Sequence, residues 1–439
     1  MKNPKRKFKP ADNRKIFLPL VGGLAVILTI AWFGSRFIFS SDEMPKPAAV
    51  APQAEPAAPL EPARPSKPAY VRGVHLTAWA AGSKKMRAQV DQLLETTELN
   101  CVVIDLKEYE GEVYLPGVKS AELYKTYVPA VPDLKQYLAT LKERGVYTIA
   151  RIVVFKDNLI TKKKPEYAVR NSSGAIWRDF RGNTWLDPYS KFSWNYNLEI
   201  AEHAADIGFD EIQFDYIRFP SDGDMKDCRY SVRKSSYSAS KTINAFLEEA
   251  SVRLKPKGVY TSIDVFGLTT TVTHDMGIGQ KILEMAKWVD YVCPMVYPSH
   301  YAPGEYGIAE PNKEPYRIVF LSLSGAKKRM GEMGSKLRPY LQDFTMGHRY
   351  GAKEVRDQIQ ATYDCDIGEW LLWNPRAVYT KDALKPKENS KFYEKSKKQL
   401  ELEEKNRIAS ESVAASTATA APSNNTPASP QKESPKTDK

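Results

Sequence analysis

The sequence has 439 residues, enough for one large domain or for two or three small ones. Hydrophobic residues make up 42% of it and aromatic residues 11%, a composition that suits a globular core and excludes a wholly disordered chain. The formal net charge of +11 is concentrated near the two ends, and no nucleic-acid-binding motif lies between them, so no nucleic acid partner is expected.

The first 39 residues have the pattern of a membrane anchor. Residues 1–15 are strongly basic, and an uncharged, mostly apolar run follows at 16–33 and continues to residue 39, broken only by Arg36. The run is long for a signal peptide, which is the alternative, so we expect an uncleaved transmembrane signal anchor at 16–39. The preceding basic cluster predicts a cytoplasmic N-terminus, a single-pass cell membrane protein and an extracytoplasmic location for everything after it.

Two low-complexity segments flank the middle of the chain. Residues 40–69 are rich in Pro and Ala and predict an extended linker. Residues 386–439 predict a charged helix followed by a disordered tail rich in Ser, Ala, Thr, Pro and Lys. The domain expected to carry the function therefore spans residues 70–385.

Strand-like and helix-like segments alternate within this domain, which is typical of a parallel sheet covered by helices. Eight strands are predicted, at 71–78, 100–106, 146–154, 211–217, 259–266, 291–297, 337–343 and 370–373. Helical patterns lie between them at 86–99, 133–144, 194–207, 241–254, 279–288, 316–330 and 353–363. Eight such units predict an α/β fold, a (β/α)8 TIM barrel, in which 337–343 is the weakest strand.

Polar residues fall on the inward face of the predicted strands. Apolar residues at alternate positions, Tyr216 among them, should face the helices. The residues that then point into the barrel, in strand order, are His75, Asp105, Lys107, Arg151, Gln213, Asp215 and Asp264. TIM barrels keep their active sites at the C-terminal ends of the strands, and buried carboxylates cluster most often at working sites. The alternative is an ion-pair network that only holds the barrel together.

The sequence predicts no cofactor and no metal site. The four cysteines, Cys101, Cys228, Cys293 and Cys365, form no CxxC pair and no zinc-type spacing with histidine. Their predicted positions are too far apart for disulfides, so four free thiols are expected. Magnesium or calcium bound to the carboxylates remains an alternative.

Five segments carry a family resemblance: NCVVIDLKEYEG (100–111), VYTIARIVVFKDNL (146–159), WRDFRGNTWLDPY (177–189), GFDEIQFDYIRFPSDG (208–223) and DYVCPMVYPSHY (290–301). Through them the sequence resembles the bacterial putative glycoside hydrolase domain family, a group of TIM barrels distantly related to the alpha-amylases. The resemblance extends over residues 71–380 and implies hydrolysis of O-glycosyl bonds.

The resemblance also implies roles for single residues. In the alpha-amylase clan the nucleophile is an Asp at the end of the fourth strand, which Asp215 matches. The acid/base is a Glu on the fifth strand, where Asp264 is the nearest carboxylate. Glycoside hydrolysis needs such a pair across the scissile bond. Asp105 is expected as a supporting charge or an alternative acid.

The sequence departs from the clan at one position. Gln213 stands where the clan has an arginine that supports the nucleophile, and Arg151 on the neighbouring strand could take over that role. The clan's third carboxylate, after the seventh strand, corresponds to Asp343, or to Gln342 if the register shifts by one.

The predicted function is hydrolysis of an extracytoplasmic or cell-envelope polysaccharide or oligosaccharide. The alternative is a carbohydrate-binding or cell-envelope scaffold protein that has kept the barrel and lost catalysis. The residues expected to bind substrate are Arg151, Lys107, Gln213, Arg218, His75, Tyr297 and Trp373.

Overall fold

The structure, a computed structural model, describes residues 63–387. The predicted cytoplasmic segment, the membrane anchor, most of the linker and nearly all of the tail lie outside the described residues. Within residues 63–387, no helix is long and apolar enough to cross a membrane.

Eight parallel strands follow one another in chain order, and the last pairs with the first to close a barrel. The strands are β1 (Arg72–Leu76), β2 (Cys101–Lys107), β3 (Tyr147–Val153), β4 (Glu211–Asp215), β5 (Tyr260–Phe266), β6 (Tyr291–Met295), β7 (Tyr340–Gln342) and β8 (Trp370–Trp373). The predicted (β/α)8 barrel is confirmed, and its weakest predicted strand is present as the three residues of β7.

Helices cover the outside of this barrel. They are α1 (Ala78–Gly82), α2 (Lys84–Thr96), α3 (Lys119–Leu123), α4 (Leu134–Glu143), α5 (Ile160–Lys163), α6 (Lys191–Ile207), α7 (Ser236–Leu254), α8 (Ile282–Met285), α9 (Pro315–Met330) and α10 (Ala352–Asp364). All seven predicted helices are found, although the one predicted at 279–288 shrinks to the four residues of α8.

Side-chain alternation along the strands separates two hydrophobic clusters. Val102 and Ile104 of β2 belong to the outer cluster, which packs against the helices. Cys101 and Val103 of the same strand belong to a smaller cluster inside the barrel. Polar side chains share the barrel interior with this inner cluster. The buried Arg338–Glu211 ion pair lies in the N-terminal half, and Arg151 with its carboxyl partners lies in the C-terminal half.

Several strands are shorter than predicted, and for β1 and β4 the reason is local. The first strand ends at Leu76 because the Thr77 hydroxyl accepts a hydrogen bond from the Ala80 backbone N–H at 3.1 Å and caps α1. The fourth strand ends at Asp215 because Tyr216 adopts a left-handed backbone with φ +50°. A non-glycine residue in this region is strained, and such strain occurs most often at functional sites.

Candidate active site

A cleft of about 460 Å³ opens at the C-terminal ends of the strands. Six of the predicted site residues line it: Arg151, Asp215, Arg218, Asp264, Tyr297 and Trp373. TIM barrels keep their active sites at this end of the barrel, so the cleft is the candidate active site.

Arg151 is the centre of the polar cluster at the bottom of the cleft. Its Nη1 donates a hydrogen bond to Asp105 Oδ1 at 2.6 Å, and its Nη2 donates one to Asp215 Oδ2. Its Nε lies 3.6 Å from Asp264 Oδ2. One guanidinium group from β3 therefore contacts carboxylates from β2, β4 and β5, as expected if it replaces the arginine that is missing at position 213.

The surroundings of the cluster shift the pKa values of its members in different directions. Burial, and then the charge of Asp215, raises the pKa of Asp264 well above that of an ordinary carboxyl. Burial also acts to raise the pKa of Asp105, but the electrostatic attraction and the hydrogen bonds of His75 and Arg151 outweigh it and the pKa is lowered. Burial acts to lower the pKa of Arg151, but Asp105, Asp215 and Asp264 outweigh burial and raise this pKa above that of an ordinary arginine. Asp264 is thus the member that is set up to hold a proton.

Asp105 and His75 lie beneath the cleft and support it. His75 Nε2 is 2.8 Å from Asp105 Oδ2, and both side chains are buried. The His75 ring stacks on Trp373 with the ring centroids 3.8 Å apart, and the Arg151 guanidinium lies 4.9 Å from the Trp373 ring. Asp105 is therefore placed to orient Arg151. His75 is placed to support the ring of Trp373, which lines the cleft.

Lys107 does not join this cluster, contrary to expectation. A bulge between Asp105 and Lys107 shifts the register of β2 against β3, and Lys107 pairs with Ile152 on the outward face. Its Nζ lies 2.9 Å from a carboxylate oxygen of Asp157 and donates a hydrogen bond to the Val153 carbonyl. Lys107 is fully buried there and has no access to the cleft.

Three other polar residues also make structural contacts. Gln213 accepts a hydrogen bond from the Tyr340 hydroxyl at 2.7 Å and lies below the cleft. Asp343 accepts hydrogen bonds from the Thr380 backbone N–H and hydroxyl. Gln342 accepts one from the Ser299 N–H. Neither residue at the end of β7 provides a third carboxylate in the cleft.

Several residues at the cleft have no role in the sequence prediction. Tyr216, expected to face the helices, lines the cleft because its left-handed backbone turns it away from the strand alternation. Phe266, Met295, His300 and Tyr340 line it as well. The inward position of Tyr340 on the seventh strand and the YPSHY sequence around His300 are the signals by which these two could have been found.

Glu108 is a second carboxyl group with a raised pKa. It follows β2 directly and is half-buried next to Asp105. Burial, followed by the charge of Asp105, raises its pKa to about 8. It does not line the cleft, and its raised pKa favours the neutral carboxyl, so it adds little negative charge to the cluster.

Residues 63–387 contain no group of three or more His, Cys, Asp or Glu side chains arranged to hold a metal ion. All four cysteines lie in this part of the chain and are free, as predicted.

Residues 73–379 match the model of a protein family described as a putative glycosyl hydrolase domain. The chain belongs to this family. The match covers well over half of the sequence and coincides with the barrel, so the protein is a glycoside hydrolase by family. No curated protein matches the sequence.

Solved structures add to the picture of this glycosyl hydrolase barrel. A hypothetical protein from Ruminiclostridium thermocellum ATCC 27405 is 38% identical and covers 44% of this chain and 97% of its own, with a TM-score of 0.40. The PgaB (BpsB) glycoside hydrolase domain from Bordetella bronchiseptica is 14% identical and covers 70% of this chain and 95% of its own, with a TM-score of 0.52. At that identity the second similarity establishes a shared fold.

Proposed function

We propose that the barrel hydrolyses glycosidic bonds with Asp215 as nucleophile and Asp264 as acid/base. The observation that carries the proposal is the position of the two carboxylates. Both line the same cleft, on neighbouring strands, and both contact the Arg151 guanidinium. Carboxylates held by one guanidinium are close together, which favours the separation of roughly 5–5.5 Å used for retention of configuration over the roughly 6.5–9.5 Å used for inversion.

The hydrogen bonds of Asp215 fit a nucleophile. One carboxylate oxygen accepts from Arg151 Nη2, and the other accepts from the Tyr216 backbone N–H at 2.5 Å. Both donors stabilise a negative charge and fix the direction of the carboxylate. The left-handed backbone of Tyr216 brings that N–H to the carboxylate, so the strained conformation helps to hold the nucleophile in position.

The environment of Asp264 fits an acid. Its raised pKa favours the protonated form, and its Oδ1 has no hydrogen-bond partner among the described residues. That oxygen is available to donate a proton to the leaving group. In the first step Asp215 attacks the anomeric carbon while Asp264 protonates the departing glycosidic oxygen. In the second step Asp264, now ionised, takes a proton from the water that cleaves the glycosyl–Asp215 ester.

The aromatic residues at the cleft suit a sugar ring. Trp373, Tyr297 and Tyr216 line the cleft together with the two carboxyl groups. Stacking on such rings orients a sugar whose hydroxyls still reach polar groups. These contacts support an oligosaccharide or polysaccharide as the substrate.

We also propose that the barrel works outside the cytoplasm on a polysaccharide of the cell envelope. The support is the uncharged run at 16–33 behind a basic cluster, which predicts a signal anchor. A C-terminal alkaline phosphatase fusion should be active and a β-galactosidase fusion inactive. The reverse pattern would overturn both the topology and the choice of envelope substrates.

Reducing-end release tests the activity. The purified full-length protein, in detergent, should generate new reducing ends from at least one member of a panel of cell-envelope polysaccharides. Binding to a polysaccharide without any release across the panel would contradict hydrolysis and would identify a carbohydrate-binding barrel.

A further inference from the structure

The structure describes four arginines as buried, and one of them differs from the others in its partners. Three form ion pairs: Arg72 with Glu98 at 3.1 Å, Arg151 with Asp105 at 2.6 Å and Arg338 with Glu211 at 2.8 Å. Arg218 is only 8% exposed and forms no ion pair with a carboxylate of residues 63–387. A buried charge without a counter-ion is unfavourable, so Arg218 needs a reason to be there.

Half of the Arg218 guanidinium is unused. Nη1 donates hydrogen bonds to the Phe219 carbonyl at 3.1 Å and to the Ser221 hydroxyl at 3.2 Å. Nε and Nη2 donate none to the described residues, although the side chain lines the cleft. These two nitrogens form the side of the guanidinium fork, which matches the two oxygens of a carboxylate.

Aromatic rings hold the guanidinium in place. Its centre lies 4.8 Å from the Trp185 ring, 4.9 Å from the Tyr216 ring and 4.5 Å from the Phe266 ring. Rings at this distance exclude water and fix the plane of the guanidinium, so an anion that reaches it meets an oriented and poorly hydrated cation.

A second cation increases the positive potential. Lys156 Nζ lies 5.8 Å from the Trp185 ring and 5.3 Å from the Tyr216 ring, which are two of the rings that contact Arg218. It is 3.6 Å from Asp179, its one carboxylate partner among the described residues. Burial, and among the nearby charges Arg218, lowers the pKa of Lys156, while Asp179 opposes this shift. Asp179 pairs with Lys156 and not with Arg218, so it does not supply Arg218 with an ion-pair partner.

We propose that Nε and Nη2 of Arg218 bind the carboxylate of an acidic sugar in the cleft, so that the substrate is a polysaccharide that contains carboxylated sugar units. This rests on the proposed hydrolysis. Arg218 lines the same cleft as Asp215 and Asp264, so the acidic sugar lies in the cleft that holds the scissile bond. The carboxylate supplies the counter-ion that Arg218 lacks.

The test measures binding, with monosaccharides that need no hydrolysis. Dissociation constants are determined by NMR titration for D-glucuronate, D-galacturonate and N-acetylmuramate. The neutral counterparts are D-glucose, D-galactose and N-acetylglucosamine. The proteins are the wild type, Arg218→Gln, Arg218→Lys and Arg233→Gln. Arg233 is an exposed arginine in the same loop and is the matched control.

The wild type should bind at least one acid on the order of tenfold more tightly than its neutral counterpart, with a preference that weakens as salt is added. Arg218→Gln should abolish the preference, Arg218→Lys should retain part of it, and Arg233→Gln should leave it unchanged. Thermal denaturation checks that each variant is folded, and Arg218→Lys provides the comparison if Arg218→Gln is not. A wild type without any preference for acids, or a preference that survives in both Arg218 variants, would overturn the proposal.

The binding result is separable from the proposed hydrolysis. If acids bind through Arg218 but no polysaccharide is cleaved, the subsite stands and the catalytic proposal fails. If a neutral polysaccharide is cleaved through Asp215 and no acid binds, hydrolysis stands and the acidic-sugar proposal fails.

Discussion

At the level of single residues, Asp264 and Asp215 have the same type of side chain but different hydrogen-bond partners. Asp215 accepts two hydrogen bonds, from Arg151 and from a backbone N–H, whereas Asp264 has one oxygen 3.6 Å from Arg151 and one with no partner in the described residues. Two carboxyl groups with such different hydrogen-bond partners in one site are suited to different roles, one as the nucleophile and one as the acid. The division of roles between the two residues follows from this difference.

Asp264→Asn should remove the basic limb of the pH–rate profile. In the wild type, activity falls as the pH rises through the raised pKa of Asp264, because the acid is then ionised. Asparagine cannot donate an acidic proton, so turnover of substrates with poor leaving groups should fall by about 10²–10⁴-fold. Aryl glycosides with good leaving groups need little protonation and should lose much less. Equal losses for both substrate types would contradict the acid role.

The same substitution should stabilise the fold at high pH. Because the folded-state pKa of Asp264 is raised, its contribution is fully present below the unfolded carboxyl pKa of about 4 and is lost as the pH rises through the folded pKa. Asp264→Asn removes this loss, so its stability relative to wild type should increase from pH 4 to pH 8, by about 1 kcal/mol or more. Urea denaturation at both pH values measures the difference, with the exposed Asp382→Asn as control. A gain that is constant with pH would show that the wild-type carboxyl is not the cause.

Arg151→Gln should destabilise the barrel strongly. It removes the cation that pairs with the buried carboxylates of Asp105 and Asp215, and an uncompensated buried charge costs about 3–5 kcal/mol. Arg233→Gln, an exposed change of the same type, should stay within about 0.5 kcal/mol of wild type. Chemical denaturation at pH 7 compares the two. A loss below about 1 kcal/mol for Arg151→Gln would mean that the carboxylates are not held by this arginine.

At the level of elements, the bulge in β2 decides which side chains enter the barrel. It leaves Asp105 on the inside and turns Lys107 outward, where Lys107 pairs with Asp157 in the loop after β3. Asp157 also accepts hydrogen bonds from the backbone N–H groups of Leu159 and Ile160. The pair therefore ties β2 to the segment that starts α5.

Lys107→Met should cost about 3–5 kcal/mol because it leaves the Asp157 carboxylate buried without its cation. The double variant Lys107→Met with Asp157→Asn should recover more than half of that loss. The asparagine oxygen can still accept from Leu159 and Ile160, and no charge is then buried. Unfolding free energies of the single and double variants measure this coupling. A double variant no more stable than Lys107→Met would refute the pairing.

The inward and outward faces of regular strands could be predicted from the sequence. The bulge and the left-handed residue that interrupt this alternation could not. Alternation in β2, β3, β4 and β5 correctly placed Asp105, Arg151, Asp215 and Asp264 on the inside, because that pattern depends only on strand geometry. The bulge before Lys107 and the left-handed Tyr216 break the alternation, and neither position carries a glycine or another local signal. Lys107 and Tyr216 were therefore assigned to the wrong faces.

At the level of the whole molecule, closure of the barrel creates the site. Arg151 and its three carboxylates are far apart in the sequence and meet because β2 to β5 are neighbours in one sheet. The strand count and order predicted this meeting. Which long side chains reach each other depends on packing, so the His75–Trp373 stack and the position of Arg218 among three rings required the structure.

The activity of Asp215→Asn tests the central claim most directly. On the polysaccharide that the wild type cleaves best, the initial rate of reducing-end release by this variant should fall by about 10³-fold or more, as for loss of a nucleophile elsewhere. The change is nearly isosteric, so its melting temperature and its affinity for the polysaccharide should stay close to those of the wild type. A folded Asp215→Asn protein with full activity would contradict the account. So would a variant that fails to fold, because the carboxylate would then be structural.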